Sequence, residues 1–271
     1  MSSGSGIVDG LDGRTQLYWE SHGAGDPVLL IHGLGLSGGA WWRTVDALAP
    51  TMRVITFDHR GIGQSESPTY AYTTEAMADD AVSILDDLAI DRVHLYGFSL
   101  GGMVAQQVAL RHPTRVQSLV LGATHSGGRR AAFPESEVMA FFRRRAVMPS
   151  EEAAWASVPY NYGSRSRDEQ VERIAEDIER RLSNPFNELA YRAQLLAASM
   201  HNCYRRLDRI RAPTLVVHGA RDRIIPVANA HMTAERVPGA RLEILRDAGH
   251  LYPTEEPAVD EAIGTFFAAH A

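Results

Sequence analysis

The chain has 271 residues, is 45% apolar and 22% charged, and carries a formal net charge of −6. That length allows one large α/β domain, or one carrying an insertion, and suffices to bury a sizeable core. The acidic balance and the lack of a basic stripe argue against nucleic acid as a partner, and no run of 18 apolar residues suggests a membrane span.

Met1 to Gly6 are rich in Ser and Gly and carry no apolar signal segment, so they read as a tail. Two short strands are expected over 7–9 and 15–20, joined as a hairpin through Gly10-Leu11-Asp12-Gly13. Residues 27–31 form a continuous apolar run, the signature of a strand buried on both faces, and lead into His32-Gly33-Leu34-Gly35. Helical spacing follows over 41–48. A buried strand over 53–57 leads into Asp58-His59-Arg60-Gly61-Ile62-Gly63-Gln64-Ser65. Thr73 or Thr74 caps a helix reaching about Leu88. Strands are expected at 93–96 and 116–121.

Between 124 and 210 the character changes. No β-branched apolar run appears, and charged helical patterns cover 135–147, 150–157, 168–182 and 187–200. The pairs Glu169/Arg173, Glu172/Glu176 and Asp177/Arg181 stand at i,i+4, as on exposed helix. Arg143-Arg144-Arg145 reads as a solvated face. The alternation then resumes with strands at 214–218 and 241–245 and helices at 227–236 and 258–269. Strands separated by helices imply right-handed crossovers and a mainly parallel sheet. The expected division is a core of 1–123 and 211–271, with a helical cap of 124–210 inserted over the C-terminal strand edge, where open α/β sheets bind ligands.

Three residues carry the chemistry. Gly97-Phe98-Ser99-Leu100-Gly101 follows a strand and opens a helix, the context of a nucleophile elbow. A serine hydroxyl needs a base, and the base needs a third group to fix its tautomer. Asp222, just beyond the strand 214–218, is the acid. His250, in the loop after 241–245 and behind Gly249, is the base. Backbone N–H groups of Leu34 and Leu100 are the expected oxyanion donors. His94, His112 and His218 read as packing or capping residues. The single cysteine, Cys203, excludes an internal disulfide and reads as a small buried side chain, which fits a cytoplasmic protein. No dinucleotide fingerprint, phosphate loop or metal-ligand cluster stands in the sequence, so no cofactor and no metal are expected.

The motifs HGLG (32–35), DHRGIGQS (58–65), GFSLGG (97–102), HGARD (218–222) and DAGH (247–250) stand in order over about residues 7 to 270. With them the chain resembles capped members of the α/β-hydrolase superfamily. That implies a mostly parallel eight-stranded sheet flanked by helices and a Ser99-Asp222-His250 triad. Residues 102–113 and 206–219 resemble 3-oxoadipate enol-lactonases and related esterases. The resemblance disfavours haloalkane dehalogenases and epoxide hydrolases, which place Asp where this chain has Ser99.

Trp41, Trp42, Phe98 and Leu251 are the expected pocket walls, with Phe141, Phe142, Met148, Trp155, Tyr160 and Tyr162 as a roof. The leading reading is a cofactor-free serine hydrolase of a small, moderately hydrophobic ester or lactone. A carbon–carbon hydrolase, or a lyase or cyclase, using the same triad is the second reading. A ligand-binding receptor with a vestigial triad is the third.

Overall fold

The continuous apolar runs become the centre of one sheet. The computed structural model describes residues 3–13, 15–67, 72–145, 147–183 and 187–271. Its strands are β1 (Ser3–Asp9), β2 (Gln16–His22), β3 (Asp26–Ile31), β4 (Met52–Phe57), β5 (Val93–Phe98), β6 (Val116–Gly122), β7 (Thr214–Gly219) and β8 (Arg241–Leu245). They lie in the order β1-β2-β4-β3-β5-β6-β7-β8. β1 pairs antiparallel with β2, and β2 antiparallel with β4. The remaining pairings are parallel.

Ser3 to Gly6, expected as a tail, pair with β2 from His22 to Trp19. Edge pairing uses the backbone alone, so their lack of apolar side chains did not prevent it.

Consecutive strand residues face opposite sides of the sheet, so both sides need cover. Leu29, Ile31 and Leu95 pack toward α2 (Thr74–Asp87), α3 (Leu100–Arg111) and α10 (Ala228–Arg236). Val28, Leu30 and Tyr96 pack toward α1 (Trp42–Leu48) and α11 (Ala258–Ala268). Thr73 caps α2 by accepting from the Ala76 N–H at 3.2 Å.

The α1–α11 contact buries one acid. Thr44 Oγ1 donates to Asp260 Oδ2 at 3.0 Å, and burial pushes the Asp260 carboxyl up to about 7. An unfolded aspartate titrates near ~4. Below that value both states hold the proton. Between the two values only the folded state does, so this contribution to stability is lost as pH rises from about 4 through 7. The variant Asp260→Asn is expected to flatten the fall in unfolding free energy from urea titration over that range, by a few kcal/mol at most. An unchanged slope would contradict this.

Between β6 and β7 the elements among the described residues are helices: α4 (Ser136–Arg145), α5 (Ser150–Ala156), α6 (Val158–Asn161), α7 (Ser164–Glu169), α8 (Val171–Leu182) and α9 (Glu188–Met200), then a 3-10 turn, Tyr204–Arg209. A bridge between Gly127 and Asn202 ties the two ends of this stretch together. The helix expected over 168–182 is broken at Gln170, whose backbone leaves the helical region (φ −126°, ψ 35°). There its side chain donates to the Glu255 carbonyl at 3.1 Å, a tertiary bond that local propensity does not foretell. α8 is also not the exposed helix its charges suggested. Arg173 Nε donates to the Thr254 carbonyl at 3.0 Å, and Asp177 meets Arg43 at 3.2 Å. No helix among the described residues is long and apolar enough to cross a membrane.

Candidate active site

β5 delivers Ser99 and α3 begins at the next residue. Ser99 takes φ 53°, ψ −117°, a conformation that costs a side chain strain and is held here by its surroundings. Its N–H donates to the Gly122 carbonyl at 2.8 Å, and Thr124 Oγ1 donates to its carbonyl at 2.7 Å. The flanking glycines are demanded by space. A Cβ on Gly101 would lie 1.8 Å from the Ile31 carbonyl oxygen, and one on Gly97 would lie 2.4 Å from the Gly101 oxygen. Backbone cannot yield as a side-chain tip can. Gly101→Ala is therefore expected to destabilise the fold by about 3 kcal/mol or more. A thermal midpoint within 2 °C of the parent, roughly half a kcal/mol for this size, would contradict it.

His250 lies in the loop after β8. Its Nε2 is 3.1 Å from Ser99 Oγ, and its Nδ1 is 2.7 Å from Asp222 Oδ2. Asp222 follows β7, and its side chain is fully buried. Oδ1 accepts from the N–H groups of Ile224 and Ile225, both at 2.8 Å. It caps no helix, since α10 starts only at Ala228. Burial alone would raise the Asp222 carboxyl. His250 and His218, by charge and hydrogen bonding, instead hold it well below the usual carboxylate range. An ionised Asp222 keeps the His250 proton on Nδ1, leaving Nε2 free to accept from the serine hydroxyl. The three expected residues thus meet at the C-terminal ends of parallel strands.

Sequence reasoning missed two supporting residues. His218, read as a packing residue, sits with Nε2 3.2 Å from Asp222 Oδ2 and donates to the Ile225 carbonyl at 2.8 Å. Its i,i+4 spacing to Asp222 was the available signal. Glu255 accepts from Gly249 N–H at 2.6 Å and Gly163 N–H at 2.7 Å, so one buried carboxylate ties the His250 loop to the helical insertion. Leu251 N–H adds a bond to the Asn161 carbonyl at 2.9 Å.

The loop after β3 approaches the same point. A Cβ on Gly33 would stand 3.3 Å from Ser99 Cβ. Gly35 takes φ 71° and donates its N–H to Gln194 Oε1 of α9 at 2.8 Å. Asp58 braces this loop from beneath, accepting from Gly38 N–H at 2.7 Å and Gln64 N–H at 2.8 Å. Leu34 sits within the loop. Leu100 opens α3, where the N–H has no intrahelical acceptor.

A cavity of about 150 Å³ adjoins the site. Trp41, Trp42, Phe98 and Leu251 all line it, as do Met148 and Tyr162 from the expected roof. Phe141, Phe142, Trp155 and Tyr160 are not among its lining residues. Phe141 is buried against Tyr160 and Phe142, at 4.7 and 6.0 Å between ring centres, and Trp155 is 45% exposed. These aromatics pack the insertion's own helices or face out. Arg145, expected as part of a solvated cluster, lines the cavity instead. Cys203 is buried, its Sγ donating to Gln106 Oε1 at 2.9 Å. Among the described residues, no group of three or more His, Cys, Asp or Glu could hold a metal ion.

Residues 26–257 match the family described as alpha/beta hydrolase fold, and the chain belongs to it. It is 33% identical over 227 residues to a poly(3-hydroxyalkanoate) depolymerase of Ectopseudomonas oleovorans, covering 83% of this chain and 78% of that one. It is 33% identical over 280 residues to a 2-hydroxymuconate semialdehyde hydrolase of a Pseudomonas species, covering 94% and 90%. Among solved structures it is similar to a thermophilic esterase from Thermogutta terrifontis, with TM-score 0.83, 29% identity and coverage of 99% and 100%. The family and these relatives support hydrolase activity for the chain.

Proposed function

We propose that the protein hydrolyses a carboxylic ester or lactone of a small, moderately hydrophobic substrate through an acyl-enzyme on Ser99. The observation that carries this reading is the hydrogen-bonded chain from Ser99 Oγ through His250 to buried Asp222, next to the cavity. Ser99 Oγ attacks the carbonyl carbon as His250 Nε2 takes its proton. Asp222 stabilises the imidazolium so formed. The N–H groups of Leu34 and Leu100 receive the oxyanion. Collapse breaks the acyl–oxygen bond, and His250 returns the proton to the leaving oxygen. Water, activated by the same imidazole, then releases the acid. The helices between β6 and β7 act as a cap that closes the cavity.

A short-chain p-nitrophenyl ester tests this. The expected result is a burst of p-nitrophenol close to one per enzyme, followed by slower turnover. Linear release at a rate equal to buffer alone would sink the reading. The likeness to the 2-hydroxymuconate semialdehyde hydrolase favours a second reading, in which the same residues cleave a carbon–carbon bond. Product analysis on an ester-free vinylogous diketone separates the two.

A further inference from the structure

The N–H groups on either side of His250 are both committed where the core meets the insertion. Leu251 N–H donates to the Asn161 carbonyl of α6 at 2.9 Å. Gly249 N–H donates to Glu255 Oε1 at 2.6 Å, and Oε2 of the same carboxylate accepts from Gly163 N–H of the insertion at 2.7 Å. Glu255 is 3% exposed and ends a short helix, Tyr252–Glu255. Ser166 of α7 also hydrogen-bonds its carboxylate, and the Gln170 side chain donates to its carbonyl at 3.1 Å. Three insertion residues thus hold one core residue, which passes a single bond on to the peptide beside the base.

The chemistry depends on where that peptide lies. Glycine leaves the backbone at 249 wide conformational freedom, so its position comes from its neighbours. A Cβ there would lie 2.7 Å from the Asn161 oxygen and 2.9 Å from the Gly163 nitrogen. His250 Nε2 stands 3.1 Å from Ser99 Oγ. A displacement of about 1 Å at such a contact can cost on the order of 10²-fold in rate. The residues that hold the loop also adjoin the cavity. Tyr162, between Asn161 and Gly163, lines it, as do Ala153 and Ala154. Asn161 is braced in turn on Ser157, its Nδ2 donating to Ser157 Oγ at 2.9 Å. The wall that faces a substrate is therefore one residue from the groups that place His250.

We infer that Glu255 is a positioning residue for the hydrolysis: its carboxylate, shared between Gly249 and Gly163, sets His250 Nε2 against Ser99 Oγ and makes that alignment depend on a seated insertion. This rests on the hydrolase reading above. Both backbone partners can only donate, so the carboxylate must accept from both. Glutamine at 255 has the same shape but turns an NH2 group toward one of those donors. One bond is lost and the His250 loop is no longer tied to the insertion, while Ser99, Asp222 and the cavity wall are untouched. The step affected is proton removal from Ser99 Oγ as it attacks the carbonyl carbon, hence acylation rather than binding.

Burst kinetics with p-nitrophenyl acetate separate positioning from folding. The amplitude counts competent centres, and the burst rate constant at saturating ester reads the alignment of Ser99 with His250. Glu255→Gln is expected to keep an amplitude close to the parent's and to lose at least about tenfold in burst rate constant, with half-saturation within about threefold. Ser166→Ala, a milder cut from the insertion's side, should slow the burst about two- to fivefold. A burst rate constant in Glu255→Gln within about twofold of the parent's, whether or not the amplitude falls, would overturn the inference and leave the hydrolase reading intact. Should Glu255→Gln not fold, Ser166→Ala decides, and a burst as fast as the parent's overturns it. If the parent shows no Ser99-dependent burst, the hydrolase reading fails. Fluorophosphonate labelling of Ser99 then decides the role of Glu255 by itself. Labelling slowed about tenfold or more in Glu255→Gln supports it, and equal or absent labelling overturns it.

Discussion

Replacing Ser99 by alanine is expected to lower kcat on a short-chain ester by about 10⁴ to 10⁶-fold, with a thermal midpoint close to the parent's. The two expectations go together for a structural reason. The serine side chain makes one contact of consequence, from Oγ to His250 Nε2 at 3.1 Å. The strain at φ 53° belongs to the backbone and persists in alanine. What is lost is the nucleophile, not the packing. Asp222→Asn should follow at about 10⁴-fold, because an amide there can leave the His250 proton on the wrong nitrogen. Initial rates on purified variants, with melting curves alongside, check both. Activity of Ser99→Ala within tenfold of the parent would contradict the assignment.

The largest stability effect is expected away from the site, at Arg60→Met. Arg60 and Asp80 side chains are 2% and 1% exposed, joined by two bonds of 2.6 Å each. Arg60 also reaches Asp12 at 3.2 Å, so the pair pins the loop after β4 to α2 and to the β1–β2 turn. Burial pushes the Asp80 carboxyl up, and Arg60 opposes that shift. Without the guanidinium, Asp80 must either stay charged in an apolar setting or take up a proton. Truncating one partner of such a pair costs about 3–5 kcal/mol, whereas replacing both by apolar residues is often close to neutral. Urea unfolding of Arg60→Met is therefore expected to show a loss of that size. The double variant Arg60→Met with Asp80→Leu should recover most of it. A double variant no more stable than the single one would show that the pair itself, rather than the orphaned acid, carries the effect.

The sequence reveals whatever rests on local sterics or continuous burial. Val93 to Tyr96 reads as a strand because its apolar run is broken only by His94, whose ring finds a buried partner in Ser118 Oγ at 2.8 Å. The elbow reads as an elbow because only glycine fits at 97 and 101. What stays hidden depends on partners distant along the chain. Gly163 and Glu255, 92 residues apart, meet through a single carboxylate, and no spacing rule announces that. Ser3 to Gly6 gain their order from backbone pairing, so composition misleads there. The polar face of α8 looks solvent-exposed until the insertion folds back and turns Asp177 and Arg181 toward the cavity. The roof aromatics failed for the same reason. Amphipathic short helices have two directions in which to bury a ring, and Phe141 and Tyr160 chose each other.

A fluorophosphonate probe followed by peptide mass spectrometry addresses the activated serine most directly. The reagent reacts with a hydroxyl whose proton a neighbouring base can remove, and it reports the residue by name. The account predicts one adduct per chain, on the peptide containing Ser99, with labelling abolished in Ser99→Ala and strongly slowed in His250→Gln. A protein that hydrolyses esters yet stays unlabelled at Ser99, or is labelled elsewhere at an unchanged rate in both variants, would contradict it.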